Sequence, residues 1–278
     1  MSDNNCLNKI FNNDKPIIGM IHLHPLPGSP LYRPEKENMK KIISLAVEEA
    51  KLLENMGVDG LQIENIWDYP YLKGENIGYE TVSSMTAAAL KVKENVKIPI
   101  GINCHLNGAV QAMAIAHAVD AKWIRIFEWV NSYISHAGII EGIGSKVARY
   151  KENLKDKNVR FFCDANVKHG SHFIISDRTV VEQAKDVENE GADSVIITGF
   201  ETGVAPSPKK IKTIKEEVNI PVIIGSGVNL HNVKELFKYA DGAIVGSEFK
   251  VNGCWKNELD KKRIEAFINS VNKYRQSI

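Results

Sequence analysis

The chain has 278 residues, with 35 Lys and Arg against 34 Asp and Glu, and 44% of its residues are apolar. Apolar content at that level with balanced charge excludes general disorder, and a formal charge of +1 speaks against a nucleic-acid partner held by broad phosphate neutralisation. No apolar run reaches the roughly 20 residues of a membrane span, the first residues are polar rather than signal-like, and Cys6, Cys104, Cys163 and Cys254 lack paired spacing, so a cytoplasmic protein without disulfides or integral membrane association is expected.

In chain order, a polar N-terminal extension (residues 1–14) precedes short apolar runs at 17–22, 60–64, 98–104, 123–127, 159–164, 194–198, 222–225 and 243–246. Amphipathic segments separate them, and a C-terminal helix falls within 257–278. In residues 40–56, Ile42, Ala46, Ala50 and Leu53 recur every three or four positions and form one buried stripe. Eight strand–helix units in strict alternation imply a parallel sheet, and the length suits a single (βα)8 TIM barrel. Gly57-Val-Asp and Gly191-Ala-Asp, Ile98-Pro and Ile220-Pro, and Val119-Asp and Ala240-Asp repeat in the same order. Such an echo fits two half-barrels. Turns entering the strands are tight, whereas several loops leaving them are long and carry Pro, Gly, His and aromatics. In a barrel those loops form the C-terminal face, where catalytic groups converge.

Strand alternation decides what lines the barrel. If Leu61, Ile63, Ile100, Ile102, Ile124 and Ile126 face the helices, then Gln62, Glu64, Gly101, Asn103, His105 and Arg125 point inward. The same rule turns Met20, His22 and His24 inward from the first strand, Phe162, Asp164 and Asn166 from the fifth, and Thr198 from the sixth. Charged groups in a core are costly unless paired or functional. One alternative is a structural Glu64–Arg125 ion pair; the other is a site at the strand ends.

Strands seven and eight end in Gly225-Ser226-Gly227 and Gly246-Ser247. Glycine lets backbone N–H groups approach a ligand, and this end of a (βα)8 barrel commonly holds phosphate. A small phosphorylated molecule is therefore the expected partner. Asp164-Ala-Asn166-Val-Lys168-His169 gathers a carboxylate, an amide, an ammonium and an imidazole. Lys168 suits a base or a substrate clamp, since burial lowers a lysine pKa. His22 and His24 read either as hydrogen-bonding groups at the mouth or, with Asp164, as ligands for a divalent metal. No metal or other cofactor is required by the leading reading. Tyr69, Tyr71, Trp129 and Tyr133 on long loops suit a lid or a subunit contact within a homo-oligomer.

The stretch Ile18-Gly-Met-Ile-His-Leu-His-Pro-Leu-Pro-Gly-Ser-Pro resembles the opening signature of the BtpA family, also called SgcQ-like. Gly60-Leu-Gln-Ile-Glu-Asn, Gly101-Ile-Asn, Trp123-Ile-Arg-Ile, Asp164-Ala-Asn-Val-Lys-His and Gly225-Ser-Gly-Val extend the match over nearly the whole chain. The resemblance implies a barrel of the ribulose-phosphate-binding type. It also implies one of two roles: an enzyme of sugar or nucleoside utilisation, or an assembly factor like the cyanobacterial members tied to photosystem I biogenesis.

The residues together with what the resemblance implies give the leading expectation: an isomerase, epimerase or lyase acting on a phosphorylated sugar or nucleoside-derived substrate. Glu64, Asp164, Lys168 and His22 are its candidate catalytic groups. His24, Asn103, His105, Arg125, Asn166 and Thr198 would bind substrate, and Gly225, Ser226, Gly227, Gly246 and Ser247 would hold the phosphate. Alternatives are the assembly factor and a metal-dependent nucleoside or nucleotide hydrolase.

Overall fold

A computed structural model describes residues 5–277. Eight parallel strands close on themselves: β1 (Ile17–His22), β2 (Gly60–Glu64), β3 (Ile100–Asn103), β4 (Trp123–Ile126), β5 (Arg160–Ala165), β6 (Ser194–Ile197), β7 (Val222–Ile224) and β8 (Gly242–Val245), with β8 pairing back onto β1. A helix follows each: α1 (Met39–Asn55), α2 (Tyr79–Asn95), α3 (Ala109–Ala118), α4 (Gly144–Asn153), α5 (Val180–Asn189), α6 (Pro208–Glu217), α7 (Val233–Leu236) and α8 (Lys261–Arg275). This is the expected (βα)8 barrel, with strand ends within about two residues of the sequence reading. No described helix is long and apolar enough to cross a membrane.

Helix starts follow local chemistry. The Asn38 side chain accepts from Lys41 N at 3.1 Å to open α1, and Thr179 with Glu182 forms a capping box on α5. Ser207 caps α6 with Pro208 at its first turn. Outward residues such as Ile17, Ile21, Leu61, Ile63, Ile100, Ile102, Ile124 and Ile126 are all buried against the helix layer. That burial fixes register, because a one-residue slip would turn the apolar set into the barrel and the polar set into the helices.

Inside, the lower end is dry. Ile18, Met20, Trp123, Phe162, Ile196, Ile223 and Ile244 form one cluster, which Cys6, Leu7 and Phe11 close from below. The expected N-terminal extension thus contributes a short helix, Leu7–Ile10, as a plug; its residues 1–4 lie outside the described residues. Phe11 meets Trp123 at 5.4 Å, and Trp123 stacks on Phe162 at 5.5 Å. A Cβ on Gly101 would lie 2.1 Å from the Trp123 indole, so that glycine makes room for the ring. Asp59 ties the same end together, accepting from Ile17 N at 2.7 Å and pairing with Arg275 of α8.

A two-stranded ribbon not foreseen from the sequence, Ser132–Ser135 with Gly138–Glu141, rises from the loop after β4. It bridges through Ile134 to Ser171 in the loop after β5 and so roofs part of the mouth.

Candidate active site

At the upper end of the barrel the inward positions become polar. His22, Glu64, Asn103, Arg125, Asp164 and Thr198 are all buried. Arg125 grips Asp164 with both ends of its fork: Nε donates to Oδ2 at 2.8 Å and Nη2 to Oδ1 at 2.9 Å. Burial alone would lower the Arg125 pKa, but Asp164 more than offsets it, so the guanidinium stays charged. The expected Glu64–Arg125 pair is therefore corrected: the partner of Arg125 is the carboxylate on the adjacent strand, within reach of a long planar side chain. Asn103 Nδ2 donates to Arg125 O at 3.1 Å, and its Oδ1 is buried without a partner.

Above this layer lies a chamber of about 150 Å³. His22, Glu64, Arg125 and Lys168 line it together with the turns at 225–229 and 246–248. Gly227 has φ +77, and a Cβ there would lie 2.1 Å from Ala205 N, so only glycine lets this turn press on the neighbouring loop. A Cβ on Gly225 would lie 3.0 Å from Arg125 Nη2. Among the described residues, no loop hydrogen bond takes up the amides of Gly227 or Ser247. The helical segments beyond, Val233–Leu236 and Ser247–Phe249, are too short to add a useful dipole, so any anion here would rest on backbone amides and on the two cations of the lining. Glu248 is neutralised by Arg263 at 2.6 Å.

Glu64 is the chamber's free carboxylate. Its Oε1 sits 3.7 Å from His22 Nε2 and 3.6 Å from His105 Nε2. Burial would raise its pKa, but the two imidazoles and Arg125 outweigh that and hold it at about 2. Burial pushes His22 down to about 4 against the pull of Glu64, leaving it neutral at pH 7. Burial first, and Arg125 second, bring Lys168 down to about 8. Lys168 has no hydrogen bond or ion pair among the described residues.

Glu64, Arg125, Lys168, Ser247 and Trp255 also face a larger vestibule of about 880 Å³. Its walls carry Tyr69, Tyr71, His105, Phe127, Tyr133 and His136. Of the expected lid aromatics, Trp129 stays outside, packing on Phe161 at 4.9 Å. Asn65 fixes the rim: its Oδ1 accepts from His105 N at 2.8 Å, and its Nδ2 donates to Asp68, which holds Leu26 N at 2.9 Å.

Five expected residues line neither space: His24, Asn103, Asp164, Asn166 and Thr198. His24 turns to Glu37 at 2.6 Å and lines neither space, so His22, His24 and Asp164 do not converge, and no group of three metal-ligating side chains occurs among the described residues. Asn166, at φ 58, reaches Gln183 at 3.3 Å. With Thr198 it lines a separate cleft of about 300 Å³. Asp164 lies beneath the chamber, spent on Arg125.

Sequence reasoning missed Trp255, Phe127, Asn65 and Glu128. Asn65 ends the Gly60-Leu-Gln-Ile-Glu-Asn stretch and was available there, whereas nothing marked Trp255. Glu128 is buried without a cation among the described residues, and desolvation, then Asp164, pushes it up to about 9. Cys104 is likewise pushed up to about 12, mainly by burial, which makes it a packing residue rather than a reactive thiol.

Comparison with known proteins places the chain. The model of the BtpA family matches residues 13–273. An uncharacterised protein of Methanocaldococcus jannaschii is 41% identical over 93% of this chain and 96% of its own length. The photosystem I biogenesis protein BtpA of Synechocystis is 33% identical over 94% of this chain and 89% of its own. Among solved structures, (S)-3-O-geranylgeranylglyceryl phosphate synthase from Thermoplasma acidophilum superposes with a TM-score of 0.59 at 17% identity, covering 96% of both chains. N-(5'-phosphoribosyl)anthranilate isomerase from Pyrococcus furiosus gives 0.54 at 16%, covering 93% of this chain and 99% of that one. These two likenesses concern the fold.

Proposed function

The chain belongs to the BtpA family, and we propose that it is an enzyme that transforms a small phosphorylated sugar or nucleoside-derived substrate by acid/base chemistry of the isomerase, epimerase or lyase kind. One observation carries the reading: a chamber lined jointly by glycine-rich backbone turns and by Arg125, Lys168 and Glu64. Phosphate binds at Gly225, Ser226, Gly227, Gly246 and Ser247, where the unengaged amides of Gly227 and Ser247 meet two cations. The synthase of the same fold was solved with sn-glycerol-1-phosphate as its substrate, and strands seven and eight are where such barrels commonly dock phosphate.

Lys168 is the group whose pKa suits proton transfer near neutrality. Glu64 stays ionised and balances the charge of Lys168 or of a cationic intermediate. His22, neutral at pH 7, and His105 beside it orient substrate oxygens. Asn103 and Asp164 act through Arg125 as positioning residues, and Arg125 stabilises developing negative charge. The Synechocystis relative named for photosystem I biogenesis favours a second reading, a non-catalytic assembly factor in which the chamber is idle.

A thermal-shift screen of sugar phosphates and nucleotides, each beside its dephosphorylated form, separates these readings. Stabilisation by phosphorylated members alone is expected, because binding to the native state raises its stability. Gly246→Ala and Lys168→Ala should both reduce the shift; the atoms nearest a Cβ at Gly246 are Met20 Cγ at 3.3 Å and the His22 ring at 3.4 Å, side chains that can give by a few tenths of an ångström. A flat screen with stable partner capture would sink the enzyme reading.

A further inference from the structure

Beyond the chamber, the vestibule is walled by rings in contact. Trp255 lies edge-on to His22 at 6.0 Å and against Trp67 at 4.8 Å. Trp67 meets Tyr69 at 6.3 Å, Tyr69 meets Tyr71 at 6.5 Å, Tyr71 stacks on His105 at 4.5 Å and 29°, and His105 meets Phe127 at 4.9 Å. The wall therefore runs from the chamber mouth to the ring under Arg125. His105 is held in this wall with its Nε2 turned to Glu64 Oε1 at 3.6 Å.

Size and chemistry point the same way. The chamber of about 150 Å³ suits a phosphate and little else, while the vestibule of about 880 Å³ sits at the upper end of small-molecule sites. A bare pentose phosphate would leave most of that space, and the faces of Tyr71 and Trp255, uncovered. Rings in this arrangement hold flat π-systems by stacking. Lys256 Nζ sits 5.4 Å from the Trp255 ring and 5.8 Å from the Tyr69 ring, adding positive charge at the outer rim.

We propose that the substrate is a 5-phosphorylated pentose bearing a planar, π-rich heterocycle, with its phosphate in the Gly227–Gly246 chamber and its ring against Tyr71 and Trp255. The inference rests on the phosphate reading above and narrows it. The pentose spans Glu64 and Lys168, which face both spaces, so bond changes at the sugar carbon that carries the ring fall beside those two groups.

The test is calorimetric titration of the full chain with AMP, GMP, CMP, UMP, adenosine and ribose 5-phosphate. At least one nucleotide should bind about tenfold or more tighter than ribose 5-phosphate, the range that base–aromatic stacking supplies. Trp255→Leu, at a residue that also lines the chamber, should weaken the nucleotide more than it weakens ribose 5-phosphate. Tyr71→Leu should erase the nucleotide's gain and leave ribose 5-phosphate affinity unchanged. Tyr71→Phe should keep it, which separates stacking from the structural bond that Tyr71 Oη donates to Ile66 O at 2.7 Å. Equal affinity for ribose 5-phosphate and all four nucleotides overturns the inference and leaves the phosphate reading intact. Adenosine binding as tightly as AMP overturns the phosphate reading and keeps the ring wall. No binding by any of the six overturns both.

Discussion

Two layers of the barrel interior, one inward position apart on the same strands, behave as different materials. On β4 the lower residue is Trp123 and the upper Arg125; on β5 they are Phe162 and Asp164; on β6, Ile196 and Thr198. The lower layer is a stacked aromatic core that tolerates no solvent. The upper layer is a charged floor whose groups are paired beneath and open above. Since burial is nearly complete in both, exposure does not distinguish them. The difference lies in what fills them. Below are rings and aliphatic chains with a single side-chain bond, from Trp123 Nε1 to Gln62 Oε1 at 3.3 Å. Above are ionised groups, of which Arg125 and Asp164 pair while Glu64 and Lys168 have only loose neighbours.

The sharpest way to test that division is Phe162→Ala, expected to cost about 3–5 kcal/mol in urea unfolding while ligand affinity of the remaining folded protein stays intact. Lost affinity at unchanged stability would break the comparison. Asp164→Ala should cost about 3 kcal/mol or more, because it strands a buried guanidinium, and it should also weaken phosphate binding. The double variant Asp164→Leu with Arg125→Met should recover most of the stability and none of the binding.

A smaller effect is expected at Glu128. Its folded pKa is raised to about 9 from an ordinary 4.5, so the folded state keeps a proton that the unfolded chain releases. Its contribution is full below pH 4.5 and is lost as pH climbs through 9. Glu128→Gln, neutral throughout, should raise Tm by about 2–5 °C at pH 8 and leave it unchanged at pH 4. The smallest stability change belongs to Lys168→Met. There the informative readout is pH. If Lys168 is the base, kcat/KM rises with pH and levels above about 8 as the amine form fills. If it is only a clamp, phosphate affinity falls over that window and turnover gains nothing.

Most of the fold was legible because strand alternation and helix periodicity report burial directly. Inward placement of Glu64, Asn103, Arg125, Asp164 and Thr198 follows from the isoleucines on the opposite face, and the structure agrees. That logic ends where the strands do. His24 and Asn166 extrapolate the alternation past the last ladder residue, where the backbone turns; Asn166 has already gone left-handed. The choice of Asp164 over Glu64 for Arg125 depends on side-chain reach across strands, which parity does not encode. The ribbon at 132–141 escaped notice because Ser132–Ser135 and Gly138–Glu141 are short and rest on the loops after β4 and β5 rather than on the core.

The N-terminal plug carries a consequence in time. Cys6 Sγ reaches Asp193 O, 187 positions onward, and Phe11 needs Trp123. During synthesis the plug must wait for 187 further residues before its resting place exists. A nascent barrel therefore has an open, oily base for most of its birth, and a chain lacking residues 5–14 would keep that base as a permanent sticky end.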